Sequence, residues 1–559
     1  MVATRVPRFT FSGRPATVSA AILVLLLLIG SGWSQAAPAQ TPSSSTPQSA
    51  NQPSTPAQAA TPEQPNQPSA PAPPASPPQT NQPATPQNPA QPGTTQVPGA
   101  GATVDNQQPG SSQSQESEQP QPETRITKAQ AKELFRSVDQ ILQFASQDTG
   151  LPIEHKVKRN LITRESVEKY VDKRMKDDKD AKRLEQSRLV LQKFGLLPPG
   201  YDLHAEFLRL LGEQVAAYYD PKTKSVNLLD WVQPDTQKPI LAHELTHALQ
   251  DQKVGLEKWE LAGAKDDAAL PDQQEYSVEE AQAARQCVTE GQAMAVLFDY
   301  SLAPLGKNIL TAPEIVQAMR ATMSDSKDSP VFAAAPMFLK ESLLMPYTFG
   351  LDFVQTVLAN KGKEAAYAGM LLNPPIDTRQ IMQPETYLLN QAVAALTIPD
   401  LDQLAAPGYE RFDFGGMGEF DVYLLAKQYG AADLKKYYPH WRGGYYFAAR
   451  AKTAPKDQIA MMYFSRWDSP EAARDFAKLY ADYLPKRYKN AVLRQPSSAN
   501  PADAPGQYVF DTEEGKATLE VEGNDLLIME GYDDSVRQKA RDIYFYGMSL
   551  PANPAKAKH

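Results

Sequence analysis

The chain has 559 residues and a formal net charge of −9, from 56 Lys and Arg against 65 Asp and Glu, with no sustained basic stripe. That balance argues against nucleic acid or an anionic membrane surface as the primary partner. Cys287 is the only cysteine, so no disulfide can form within the chain and an exported form must rely on its hydrophobic core.

Arg5, Arg8 and Arg14 precede an uncharged apolar run from Ala20 to Ile29 and then small residues, the pattern of a secretory signal peptide over residues 1–36. The run is shorter than the roughly 20 residues of a spanning helix, so cleavage is expected. Membrane attachment follows only if the segment is retained. Residues 37–124 are mostly Pro, Gln, Ser, Thr, Ala and Asn, with no Leu, Ile, aromatic residue, Lys or Arg. Such a segment has nothing to bury against the entropy of ordering and is expected to be a disordered linker. Folded structure is expected from Arg125, as one domain over 125–400 and a second over 401–559.

Apolar residues at helical spacing predict a helix from Ile126 to Ala145, followed by a short strand within His155–Arg164 and one or two charged helices over Glu165–Phe194. A helix is expected at His204–Leu211. Glu213–Asp220 and Ser225–Leu229 read as a hairpin around Pro221-Lys222-Thr223-Lys224. Either strand, at Ala216–Tyr219 or Val226–Leu229, could take a substrate backbone by strand addition, or simply belong to the core. The next helix, with Pro239 in its first turn, carries His243-Glu244-Leu245-Thr246-His247. Ser277-Val278-Glu279-Glu280 reads as a capping box opening an Ala-rich helix through Cys287 and Glu290 to about Tyr300. Gly291 inside it costs helix stability, which suggests close packing on a neighbour. Helices follow at Ala312–Met323, Val331–Leu344 and Phe349–Asn360, with a break at Asn373-Pro374-Pro375.

Beyond Asp400 the pattern becomes β-rich. Strands are expected at Tyr445–Arg450, Gln458–Trp467, Gln507–Asp511, Ala517–Glu522 and Leu526–Glu530, and helices at Ser469–Arg487 and Asp534–Phe545. These predict a small α+β unit with both helices packed on one side of the sheet.

Residues 243–247 spell H-E-x-x-H. On a helix the histidines at i and i+4 stack on one face and can share a metal ion, while the glutamate stands beside that face to take a proton from a metal-bound water. The chain has six histidines in all, which makes a chance pairing around a glutamate improbable. A catalytic zinc site needs a third protein ligand, and Glu290 on the following helix is the candidate, giving the His₂Glu set of thermolysin-type sites. Asp251, one turn past His247, is either a partner that orients an imidazole or a solvated helix end. Cys287, one turn before Glu290, is either a thiol switch on the zinc or a small core residue. Tyr347, His440, Arg442 and Tyr445 qualify by residue type alone to stabilise developing negative charge. His155, His204 and His559 have no partner in the sequence and read as surface residues.

With these residues the chain resembles the gluzincin class of metallopeptidases, and within it a family of bacterial exported proteins. That family carries H-E-x-T-H-A-L-Q-D-Q, matched by His243 to Gln252, and E-G-x-A, matched by Glu290 to Ala293. The resemblance runs on through Pro346-Tyr347-Thr348-Phe349-Gly350, Asn373-Pro374-Pro375, Thr378-Arg379-Gln380-Ile381, Pro384-Glu385-Thr386-Tyr387 and, more loosely, Trp441-Arg442-Gly443-Gly444. It implies one catalytic Zn²⁺ held by His243, His247 and Glu290, with Glu244 as general base. The implied fold class is α+β: a mainly helical zincin-like metallopeptidase domain with a small β-sheet, followed by the smaller α+β domain. Two positions depart from the family pattern: Gln292 stands where an acidic residue is common, and Gln383 where a histidine is common. Neither is expected as a direct ligand; both could tune metal affinity.

The expected function is an exported zinc peptidase acting on a peptide or protein substrate. Two other readings stand beside it: a zinc amidase acting on cell-wall peptides, and a catalytically idle envelope-tethered binding protein. Cleavage specificity and oligomeric state have no signal in the sequence.

Overall fold

The computed structural model describes residues 125–549, except 168, 170–177, 204, 207–208, 211–216, 263–271, 325–328, 406 and 496–506. The expected signal peptide and linker, together with His204, Ala216 and His559, lie outside the described residues.

Helix α1 (Lys128–Thr149) starts at a reciprocal capping box between Thr127 and Gln130 and stops at Gly150, whose φ of 75° is the left-handed cap that glycine adopts without strain. Strand β1 (Lys158–Ile162), helix α2 (Asp178–Lys193) and the hairpin β2 (Ala217–Asp220) and β3 (Ser225–Leu229) follow. The three strands form one sheet in the order β1-β3-β2, with β1 parallel and β2 antiparallel to β3. Among the described residues, β2 is therefore an edge strand and β3 is enclosed on both sides.

Three long helices complete this half. Helix α3 (Pro234–Val254) begins more than a turn earlier than the sequence suggests. Pro234 takes the first helical position, and Pro239 sits inside the helix at the cost of one backbone hydrogen bond. Helix α4 (Asp272–Leu302) also starts before its predicted cap. Ser277 lies within it and bonds back to the Gln273 carbonyl, while Glu280 accepts from the Thr378 amide and hydroxyl instead of closing a capping box. Residues expected to form two helices after Val331 break at Pro336 and then run as one helix, α5 (Met337–Glu364), which carries Pro346 inside it and kinks at Gly362. A π turn over Ala365–Gly369 follows, and then the short helix α6 (Thr378–Met382).

Helices α4 and α5 cross backbone to backbone. A Cβ on Gly291 would fall 2.3 Å from the Gly350 carbonyl oxygen, and one on Gly350 would fall 2.4 Å from that of Cys287. This is the close packing that the helix-interior Gly291 suggests.

The second half holds a seven-stranded antiparallel sheet ordered β4-β5-β6-β10-β9-β8-β7. Its strands are β4 (Tyr409–Gly416), β5 (Trp441–Ala451), β6 (Ala460–Trp467), β7 (Val492–Gln495), β8 (Gln507–Thr512), β9 (Gly515–Glu522) and β10 (Asp525–Glu530). Helices α7 (Glu419–Gln428), α8 (Pro470–Arg487) and α9 (Asp534–Tyr544) accompany it. β4, α7 and β7 have no counterpart in the sequence reading. The expectation of two helices on one side fails as well. Tyr463 and Ile528 pack with Phe476 and Tyr480 of α8, whereas Met462 and Leu527 pack with Val536 and Ala540 of α9. Alternate residues of a strand face opposite ways, so α8 and α9 cover opposite faces. Both faces of the central strands are apolar, and strict alternation, the cue for a one-sided sheet, is absent.

The two halves meet through polar anchors as well as core. Glu279 of α4 accepts from the Gly416 amide at 2.6 Å, and the Tyr429 hydroxyl donates to the Phe194 carbonyl at 2.9 Å.

Two features give measurable consequences. Gly291→Ala forces two backbones apart and should cost roughly 2–3 kcal/mol of stability in denaturant unfolding, as overpacking does; an unchanged midpoint would contradict the close crossing. At the ends of α1 and α4, burial raises the carboxyls of Asp148 and Asp299, and the charge of Asp148 adds to the rise at Asp299, which reaches about 7. The folded chain thus keeps protons that the unfolded chain releases above about pH 4, so this pair loses stability as pH rises from about 4 to about 7. Asp299→Asn should make the decline in melting temperature over that window shallower than in the wild type.

Candidate metal centre

His243, Glu244 and His247 lie on the turns of α3 that face α4, and Glu290 projects from α4 beside Gly291. All four are buried. The candidate ligand atoms make a small triangle: His243 Nε2 to His247 Nε2 is 3.1 Å, His243 Nε2 to Glu290 Oε2 is 3.1 Å, and His247 Nε2 to Glu290 Oε2 is 3.4 Å. Zinc bonds of about 2.1 Å at tetrahedral angles put ligand atoms about 3.4 Å apart, so this donor set fits such an ion in size and in chemistry. Among the described residues it is the one group of three or more His, Cys, Asp or Glu residues close enough to hold a metal.

The electrostatics of the cluster favour a cation. Burial pulls the His243 imidazole below its usual value, with partial compensation from its hydrogen bond to Glu290. Burial also opposes charge on His247, but the Glu290 carboxylate outweighs it and lifts that imidazole to about 9. Glu290 itself is pushed up by burial and pulled down further by His247 and His243, to about 2. A buried carboxylate held ionised in this way requires positive charge beside it.

Glu244 stands apart from the triangle with its two oxygens in different settings. Oε2 accepts from the Tyr219 amide of edge strand β2 at 2.7 Å, whereas Oε1 is buried with no hydrogen-bond partner. Burial raises this carboxyl to about 8, against the pull of His247 and the Tyr219 amide.

Of the four residues suggested for charge stabilisation, Tyr347 is at the cluster. Its ring stacks on His243 with centroids 6.2 Å apart, and its hydroxyl is buried outside ordinary hydrogen-bond geometry. Burial pushes that hydroxyl well above its usual range, and the nearby Glu290 and Glu244 carboxylates add to the effect. The other three bond elsewhere. His440 and Arg442 share Asp468, and the hydroxyl of Tyr445 on β5 pairs with that of Tyr544 at the end of α9.

Asp251 is neither an imidazole partner nor a solvated helix end. It is buried and accepts from the Tyr219 hydroxyl at 2.7 Å, Lys224 Nζ at 2.6 Å and the Leu256 amide at 3.1 Å, fastening the β2–β3 hairpin to α3. The residue on the imidazole is Gln250, whose Oε1 lies 2.8 Å from His247 Nδ1. Sequence reasoning missed it, although its place three residues after His247 on the same helix face is a usable signal. Gln292 touches no ligand directly; its Oε1 accepts from Gln250 Nε2 at 2.9 Å. Gln383 bonds to Glu419 and to the Pro439 carbonyl. Cys287 is a fully buried core residue against Met345 Sδ, with its thiol pushed up by burial.

A family model described as a domain of unknown function (DUF8575) matches residues 408–540, which span the seven-stranded sheet and most of its helices and exclude the metal-ligand candidates. No curated protein and no solved structure matches the chain.

Proposed function

We propose that this chain is an exported zinc-dependent peptidase, with His243, His247 and Glu290 as the metal ligands and Glu244 as the general base. The observation that carries the reading is the buried triangle of two imidazole nitrogens and one carboxylate oxygen, with edges of 3.1–3.4 Å, beside a glutamate that has one oxygen anchored and one free. A zinc ion there would supply Lewis acidity, polarising a carbonyl and making water a stronger acid.

The protein's own groups divide the remaining work. The Tyr219 amide fixes the Glu244 carboxyl, and a cation in the triangle would favour its ionised form, so its free Oε1 meets the incoming water in one orientation and later returns the proton to the leaving amine. Tyr347, held neutral, offers a hydroxyl where charge develops. An extended peptide pairs with edge strand β2, which reaches the site through Tyr219. Topology favours β2 over β3 for this role, because β3 already pairs with β1 and β2. Export through the N-terminal segment remains part of the proposal, on the sequence pattern alone.

Metal content and hydrolysis of a denatured protein substrate by the full chain test this reading. The wild type should carry about one zinc per chain. Glu244→Gln should keep the metal and lose at least about 100-fold in rate, in line with the loss of a general base. Glu290→Ala should lose metal. A wild type that binds no zinc, or a Glu244→Gln variant as active as wild type, defeats the proposal.

A further inference from the structure

The two glutamines behind the ligand triangle form a hydrogen-bond chain whose direction is fixed by its end. Gln292 Nε2 donates to two backbone carbonyls of the π turn, Ala366 at 2.8 Å and Tyr367 at 3.1 Å. Carbonyls can only accept, so the amide nitrogen must face them and Gln292 Oε1 must point the other way. That oxygen receives Gln250 Nε2 at 2.9 Å, and the same nitrogen reaches the Thr289 carbonyl at 2.9 Å. Gln250 is fixed in turn, with Oε1 turned to His247 Nδ1 at 2.8 Å. Reversing either amide would set oxygen against carbonyl oxygen in a fully buried site, since both glutamines are 0% exposed. His247 Nδ1 must therefore donate, which leaves Nε2 to face His243 and Glu290. The π turn fits this use, because such turns recur at functional sites and here two of its carbonyls bond outside the helix.

We infer that Gln250 and Gln292 are positioning residues: a one-way amide relay from the π turn holds His247 with its proton on Nδ1 and its Nε2 directed to the metal. The relay rests on the zinc reading above. Its distinguishing feature is that a residue with no contact to any ligand sets metal affinity through acceptor chemistry and not through bulk. His243 is held differently: its buried imidazole interacts with the backbone of Ala293, and its Nδ1 makes no side-chain hydrogen bond of ordinary geometry.

Two substitutions separate these roles in the full-length protein. Gln292→Met keeps length and apolar packing but removes one of the two acceptors of Gln250 Nε2, leaving it the Thr289 carbonyl alone. Gln292→Glu keeps the acceptor and buries a charge. The relay requires that stability and metal affinity follow opposite orders. Gln292→Met should melt higher than Gln292→Glu, yet its zinc dissociation constant, measured by chelator competition, should rise at least about 10-fold over wild type while Gln292→Glu stays closer to wild type. Zinc affinity that follows stability, or a Gln292→Met variant that binds zinc as wild type does, overturns the relay. If either variant fails to fold, imidazole ¹⁵N spectra of the zinc-loaded wild type decide instead. His247, assigned by loss of its signal in His247→Asn, should show a protonated Nδ1 and a coordinated Nε2; coordination through Nδ1 overturns the relay. A wild type that takes up no zinc defeats the metal reading itself, an outcome distinct from zinc binding that is indifferent to Gln292.

Discussion

The contact between α4 and α5 at Gly291 and Gly350 sets the geometry of everything around the candidate metal centre. Two helices can approach to backbone contact only where neither carries a Cβ, and here a methyl on either glycine would overlap a carbonyl of the other helix. Glu290 directly precedes Gly291, so the crossing also fixes the rotation of α4 that turns this carboxylate toward α3. Tyr347 lies three residues before Gly350 and is brought over the His243 ring by the same approach. Gln292, one residue beyond the crossing, is carried to the π turn that follows α5. A candidate ligand, a neighbouring hydroxyl and the proposed relay residue thus share one steric cause.

Around this crossing, buried polar groups are handled in two ways. The neutral amides of Gln250 and Gln292 are satisfied through a continuous chain that ends on backbone carbonyls, which gives direction without adding charge. The carboxylates are only partly satisfied and face the cluster: Glu244 has one oxygen on the Tyr219 amide and one free, and Glu290 turns its Oε2 to both imidazoles. An arrangement in which the directional groups are complete and the charged groups are incomplete is suited to a cation and to proton transfer. In the second half of the chain the buried carboxylate of Glu530 is treated differently. It is closed off by the Tyr480 and Tyr488 hydroxyls and by Arg487, which makes it a structural anchor.

Much of the fold is legible in the sequence wherever one local rule dominates. The helix at Ser469–Arg487 starts at its serine cap with Pro470 in the first turn, and Gly523-Asn524-Asp525, which reads as a hairpin turn, holds the β9–β10 turn at Gly523-Asn524, with Asp525 already in β10. Failures occur where a distant partner overrides a local preference. Ser277 and Glu280 have the spacing of a capping box, but Glu280 gains more from two donors on Thr378, so the helix extends past the serine. Pro239 and Pro346 sit inside helices because the packing of the helices that carry them offsets the lost hydrogen bond. α8 and α9 flank opposite faces because the middle strands are apolar on both sides, a pattern that does not specify which face a helix will take.

The sequence by itself determined the residue types that meet at the candidate site: two histidines one helical turn apart with a glutamate between them, and a carboxylate on the next strong helix, are a matter of spacing and residue type. It also determined that α4 must pack closely on something, through Gly291. Only the tertiary structure decided which helix that was, which tyrosine lies over His243, which edge of the small sheet reaches Glu244, and that Gln250 and not Asp251 holds the imidazole. The physical reason is range. Helical periodicity fixes which residues share a face, but hydrogen-bond direction and backbone approach depend on groups far apart in the chain, as Gln292 and Ala366 are, and these meet only once the helices have packed.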